Sequence, residues 1–124
     1  MWQPAFLPDV PPPKGAYSPA VRVGELVFVS GQVPRDVATG ELVGDTVAEQ
    51  TGQVMKNMEL ALQAAGGSLR SLVAVTVYLA STDHWAEFDA TYREIMTAPY
   101  PSRTAVGAQL RGILVEISGV AVVR

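Results

Sequence analysis

The chain of 124 residues is long enough for one domain, and its net charge of −3 does not suit a nucleic-acid-binding protein, which normally presents a basic face. It has no cysteine and one histidine, which excludes disulfides, thiolate nucleophiles, zinc knuckles and histidine-rich metal sites. Only 17% of the residues are charged, against about 25% in an average domain. We therefore expect another copy of the chain to cover part of the surface.

The sequence shows neither a membrane span nor a secretion signal, which bears on the expected location of the protein. No apolar run approaches the ~18 residues of a membrane span. The first residues also lack the basic start and the apolar core of a secretion signal. The sequence therefore predicts a soluble, cytoplasmic protein.

The N-terminal third predicts an extended arm followed by a hairpin. Residues 1–14 contain five prolines, which fix φ and remove hydrogen-bond donors, so this segment is interpreted as a strap on the surface. Two β-type runs follow at residues 17–23 and 25–30, and Gly24 between them predicts a tight turn. Residues 35–44 are rich in turn formers and predict a loop.

The middle of the chain predicts a helix and a central strand. Thr46 and Glu49 have the spacing of a capping box, apolar residues then recur every three or four positions, and Gly66 supplies a left-handed stop. The run of residues 72–79 is apolar on both of its alternating faces, which is typical of a strand buried in the middle of a sheet.

The last third predicts a second helix and two strands. The helix begins after Asp83, shows a stripe of large apolar residues from Trp85 to Met96, and ends before Pro99. Strands are predicted at residues 103–109 and 113–123. The order β-β-α-β-α-β-β predicts an α+β domain, a mixed sheet with both helices on one face. The other face then needs a partner.

Two charged residues interrupt the apolar pattern of the last strands. Burying an unpaired carboxylate costs several kcal/mol, so Glu116 either points outward, pairs with an arginine for structural reasons, or acts in a site. Arg103 is either an ordinary exposed arginine or a bidentate ligand for a carboxylate. A hairpin would place Gly107 opposite Glu116 and Val120 opposite Arg103. Both charges would then share a face, ~13 Å apart, with room for a small acid.

Three further polar residues have a functional and a structural interpretation. Tyr17 is either a substrate-holding phenol or an aromatic plug at the rim of the core. Asp89 either approaches a site or belongs to a solvated helix face. His84 lies in a capping turn, where we expect it to be solvated. A Ser–His–Asp triad is not supported, because the sequence has no G-x-S-x-G elbow.

Six short motifs resemble, in collinear order, those of the RidA (YjgF-type) reactive intermediate deaminase family. They are residues 15–21 (GAYSPAV), 29–34 (VSGQVP) with 39–41 (TGE), the helix positions Gln50 and Asn57 with 64–66 (AAG), 75–79 (VTVYL), 101–104 (PSRT) and 115–117 (VEI). The resemblance covers residues 15–123.

This resemblance implies a chorismate-mutase-like fold and a homotrimer with ligand clefts between its subunits. It implies hydrolysis of 2-imino and enamino acids to 2-oxo acids and ammonia, without a metal or an organic cofactor. By the same resemblance, Arg103 would bind the substrate carboxylate and Glu116 would activate water. Tyr17 and the backbone at Gly31 would line the cleft, with Asp89 beside it.

Departures from the family pattern keep alternatives open. Ala16, Asp89, Ala105 and Ser118 replace residues common in the family, and the loop around Gly112 is short. A negative charge at Asp89 would oppose an anionic substrate. One alternative is a non-catalytic regulatory trimer that binds small carboxylates. Another is a ribonuclease or translation inhibitor, which the acidic pI of about 5.0 disfavours.

Overall fold

The computed structural model describes residues 1–124 and shows one mixed sheet of six strands with two α-helices. The elements in chain order are β1 (Gln3–Ala5), β2 (Ala20–Val23), β3 (Leu26–Gln32), α1 (Val47–Ala64), β4 (Leu72–Leu79), α2 (Trp85–Ile95), β5 (Ser102–Gly107) and β6 (Val115–Val122). The sheet order is β1-β2-β3-β6-β4-β5, and only β4 and β5 are parallel. The predicted order of elements is confirmed, with β1 as an addition.

The additional strand β1 lies in the proline-rich arm. It pairs antiparallel with β2, with Pro4 beside Val21 and Ala5 beside Ala20. Proline is tolerated because β1 is an edge strand, where a missing N–H leaves no neighbour unpaired. The arm is therefore extended, as predicted, but part of it belongs to the sheet.

Helix α1 begins and ends at the predicted capping residues. Thr46 Oγ1 accepts the Glu49 N–H at 3.1 Å, and Glu49 Oε1 accepts the Thr46 N–H at 3.2 Å. Gly66 beyond the last turn has a φ of 91°, a left-handed conformation that favours glycine. No helix of the chain combines the length and the hydrophobicity needed to cross a bilayer.

Both helices pack on one face of the sheet, as predicted. Met58 of α1 and Phe88 of α2 are fully buried, in one apolar cluster with Val77 of β4 and Ile117 of β6. Burial of each such side chain contributes about 1.5–3 kcal/mol to folding.

The last two strands do not form the predicted hairpin, because β4 lies between β5 and β6. Gly107 pairs with Leu79 and Glu116 pairs with Tyr78, so the expected pairing of Gly107 with Glu116 is wrong. The connection crosses the end of β4, where the Ala108 N–H donates to the Leu79 carbonyl at 2.8 Å. A strand that is apolar on both faces lies inside a sheet, with a neighbouring strand on each side. Here β5 and β6 are the two neighbours of β4.

The other face of the sheet carries exposed apolar side chains. Leu26, Phe28 and Val106 are 42%, 44% and 41% exposed, and Val23 beside Leu26 is also exposed. We call this helix-free surface the open face. No other part of the chain covers these side chains, so the expectation that a second copy does so remains a prediction.

Candidate functional site

Arg103 enters the helix side of the sheet at the start of β5. Its Nη1 donates to Asp89 Oδ1 of α2 at 2.8 Å. The guanidinium carbon lies 5.4, 5.5 and 5.2 Å from the ring centres of Trp85, Phe88 and Tyr92. Their spacing of three and four residues places the three rings on one face of α2, next to Asp89. The helix thus supplies both an aromatic cage and a counter-ion for Arg103.

Asp89 and Tyr92 have perturbed acidities beside this cation. The pKa of Asp89 is lowered, chiefly by the hydrogen bond from Arg103 and further by Arg93, whose Nη2 lies 3.2 Å from Asp89 Oδ2. Burial raises the pKa of Tyr92, and its hydroxyl has no hydrogen-bond partner. Asp89 is therefore ionised at neutral pH and Tyr92 is a neutral phenol. The alternative of a solvated helix face at Asp89 is excluded by these contacts.

A cavity of about 310 Å³ opens beside this cluster. It is lined by Asp89, Tyr92, Arg93, Tyr100, Pro101 and Arg103. A larger cavity of about 470 Å³ near the end of α2 contains none of the predicted site residues, and its acid, Glu59, accepts the Leu69 N–H at 2.6 Å. The chemistry of the lining residues, rather than volume, therefore identifies the smaller cavity as the candidate site.

Glu116 and Gly31 form a second cluster on the open face. Glu116 is half-buried, takes part in none of the three ion pairs of the chain, and its Oε2 occupies the space that a Cβ at Gly31 would need. A register shift in β3 between Val29 and Gln32 brings the Gly31 backbone against this carboxylate. A side chain at position 31 would therefore displace the Glu116 carboxylate.

The segment of Tyr17 is fastened beside Gly31. The Ser30 N–H donates to the Pro19 carbonyl at 3.0 Å, which holds the start of β2 next to the end of β3. Tyr17 itself is 58% exposed, so it is not the aromatic plug considered above. His84, in contrast, is half-buried with its Nδ1 unpartnered, so the expectation of a solvated side chain is wrong.

One chain does not bring Arg103 and Glu116 together. Arg103 pairs with Val75 and Glu116 with Tyr78, three positions apart on β4 and thus ~10 Å along the strand. An odd separation also puts the two side chains on opposite faces of the sheet. The prediction of a shared face is wrong, because it depended on the hairpin register.

Two contributors to these clusters are not among the predicted site residues. Arg93 contacts Asp89, and the i,i+4 spacing of opposite charges on a predicted helix was the available signal. Gln50 is buried in α1, donates to the Gly44 carbonyl at 3.1 Å and accepts the Leu114 N–H at 2.8 Å. It thereby fixes the chain at Leu114, two residues before Glu116. No local sequence pattern predicts this long-range contact between Gln50 and Leu114.

No three histidine, aspartate or glutamate side chains lie close enough to hold a metal ion.

Among the departures from the family pattern, Ala105 pairs with Val77 on the helix side, partly buried against the core. Ser118 pairs with Thr76 on the open face, which is opposite to the face that carries Arg103.

Comparison with known proteins identifies relatives along nearly the whole chain. The family model described as Endoribonuclease L-PSP matches residues 8–123. A RutC family protein of Pyrococcus horikoshii is 37% identical over 118 residues, 94% of each chain. A protein of Dermatophagoides farinae named 2-iminobutanoate/2-iminopropanoate deaminase is 31% identical over 118 residues, 94% of this chain and 92% of that one.

Among solved structures, RidA from an Antarctic Psychrobacter species superimposes with a TM-score of 0.90. It is 32% identical, and the match covers 98% of this chain and 99% of the other. The family inferred from the six motifs is therefore confirmed by sequence and by fold. The chain belongs to the RidA (YjgF) family, whose family model is described as Endoribonuclease L-PSP.

Proposed function

We propose that the protein hydrolyses reactive 2-imino and enamino acids to 2-oxo acids and ammonia. The observation that carries the proposal is the caged guanidinium of Arg103, whose only hydrogen bond within the chain runs from Nη1 to Asp89. The Nε and Nη2 edge is left for a substrate carboxylate, which arginine binds through two parallel N–H groups. The relative named as an imine deaminase supports this substrate class.

We further propose that each site lies between two copies of the chain in a homotrimer. Arg103 and Glu116 occupy opposite faces of one sheet, so a single copy cannot present both to one small substrate. The exposed apolar side chains of the open face support an association that brings the Glu116 of one copy to the Arg103 cluster of the next. Gly31 and Tyr17 would line the Glu116 side of this cleft.

The proposed reaction needs orientation, one water and a base. Arg103 holds the substrate carboxylate, and Glu116 accepts a proton from water as its oxygen bonds to the electrophilic imine carbon. The substrate reacts as its protonated iminium, so this addition gives a neutral carbinolamine. Glu116 returns its proton to the nitrogen, the C–N bond breaks as the C=O bond forms, and the hydroxyl proton leaves with ammonia as ammonium. General-base catalysis contributes about 10²–10⁴-fold and positioning contributes more. The reaction consumes water and requires no redox or organic cofactor.

The proposal is tested by ammonia release from imino acids generated freshly in the assay. We expect the wild-type protein to accelerate release and Arg103→Ala to abolish the acceleration, because the carboxylate is no longer held. Arg124→Ala is the matched control, since Arg124 is exposed and pairs only with Glu25, at 4.0 Å. Acceleration that survives Arg103→Ala contradicts the assigned carboxylate role.

A second candidate is a regulatory trimer that binds small carboxylates without catalysis. It is favoured by the Asp89 carboxylate, which already neutralises one guanidinium at the site. Binding of 2-oxobutanoate without any acceleration of imine hydrolysis is the result that selects it. A ribonuclease, suggested by the description of the family model, is disfavoured by the net charge of −3, and failure to retain RNA at low salt excludes it.

A further inference from the structure

Two arginine side chains, Arg93 and Arg103, share the carboxylate of Asp89. Asp89 Oδ1 accepts from Arg103 at 2.8 Å, and Asp89 Oδ2 lies 3.2 Å from Arg93 Nη2. Two guanidinium groups and one carboxylate add up to a charge of +1. Without Arg93, the remaining pair of Asp89 and Arg103 would be neutral.

The cavity beside this triad offers donors rather than acceptors. Both Asp89 oxygens are engaged by arginines, so the only carboxylate in the wall is already satisfied. The Tyr92 side chain is 97% buried (3% exposed), lines the cavity and has an unpartnered hydroxyl.

We propose that Arg93 is a specificity-determining residue that supplies the net positive charge with which this site selects a small monocarboxylate. It offsets Asp89, whose charge would otherwise cancel that of Arg103. A single ligand carboxylate balances the charge of +1 that this side of the cleft contributes, and the Glu116 carboxylate of the next copy is the proposed base on the other side. This inference rests on the proposed role of Arg103 in carboxylate binding.

A purely structural role for Arg93 and the proposed electrostatic role predict the same thermal stability but different affinities for an anion. Its side chain is 65% exposed, and ion pairs of this kind at i,i+4 contribute little to stability. Replacement of Arg93 should therefore leave the thermal unfolding midpoint nearly unchanged under either view. Affinity for an anion separates the two, since only the electrostatic role weakens binding when the charge is removed.

The experiment is calorimetric titration of the assembled protein with 2-oxobutanoate. The variants are Arg93→Met, Arg93→Lys, Asp89→Asn, the double variant Arg93→Met/Asp89→Asn and Arg103→Ala, with Arg124→Met as a control for net charge. We expect Arg93→Met to raise Kd by about tenfold, Arg93→Lys to stay within about threefold of wild type, and Arg124→Met to have no effect. In the double variant, Asp89→Asn should restore most of the lost affinity, because no carboxylate then opposes the ligand.

The outcomes separate this inference from the proposed function. If Arg93→Met binds as tightly as wild type, or if the double variant binds as weakly as Arg93→Met, the role of Arg93 is refuted while Arg103 keeps its own. If wild type binds 2-oxobutanoate no better than Arg103→Ala, carboxylate binding at Arg103 fails, and the role of Arg93 fails with it.

Discussion

The Glu116 carboxylate lies where a side chain at position 31 would begin, so Gly31 and Glu116 act as one unit. We predict that Gly31→Ala lowers the rate of imine hydrolysis at least tenfold, because the added methyl group must push the proposed base out of place. Activity is measured by ammonia release and folding by thermal unfolding.

Gly52 provides the matched control for this substitution. It lies inside α1, and a Cβ there would meet no other atom within 4 Å. Gly52→Ala should leave activity unchanged and stabilise the protein by up to about 1 kcal/mol, since alanine is the better helix former. Equal activity of the two variants would show that Glu116 does not need its present position.

At the scale of elements, prediction succeeded where the determinants are local. Helix α1 could be predicted because Thr46, Glu49 and Gly66 act within one turn of its ends. The pairing of β6 with β4 could not, because residues 79 and 115 are neighbours in space but are separated in the chain by α2 and β5. The family motifs named Arg103 and Glu116 as candidates, and the hairpin register that placed them on one face of the sheet was wrong.

Arg22 links three elements at the end of the sheet opposite to Glu116. Its guanidinium donates to the Ala65 carbonyl at 2.9 Å, to the Val123 carbonyl at 3.0 Å and to the Gly24 carbonyl at 3.0 Å. These contacts join the end of α1, the chain after β6 and the turn before β3. A guanidinium thus satisfies carbonyl groups that the helix end leaves free.

We predict that Arg22→Met lowers the free energy of unfolding by about 1–3 kcal/mol, because partly buried carbonyls lose a charged donor. Urea denaturation measures the change, and the exposed Arg70→Met is the control, expected within about 0.5 kcal/mol of wild type. A loss no larger than that of the control would mean that water replaces the guanidinium at no cost.

At the scale of the whole molecule, the low charge content of the sequence is explained by the open face of the sheet, where apolar side chains are exposed. The helices cover one face of the sheet, and Leu26, Phe28 and Val106 remain on the other. Since Glu116 lies on that open face and Arg103 on the covered one, the proposed chemistry depends on association. In a dissociated chain, Arg103, which binds the substrate carboxylate, and Glu116, the proposed base, would lie on opposite faces of the sheet.

This dependence predicts that two inactive variants restore activity together. Arg103→Ala and Glu116→Gln are co-expressed with different tags, and trimers carrying both tags are isolated. In any ring of three built from both variants, one cleft pairs an intact Arg103 with an intact Glu116, so we expect about one third of wild-type activity. Doubly tagged trimers of Arg103→Ala alone are the control and should stay inactive. If the mixed trimers are equally inactive, then the two residues do not meet across the interface, and the proposed site is wrong.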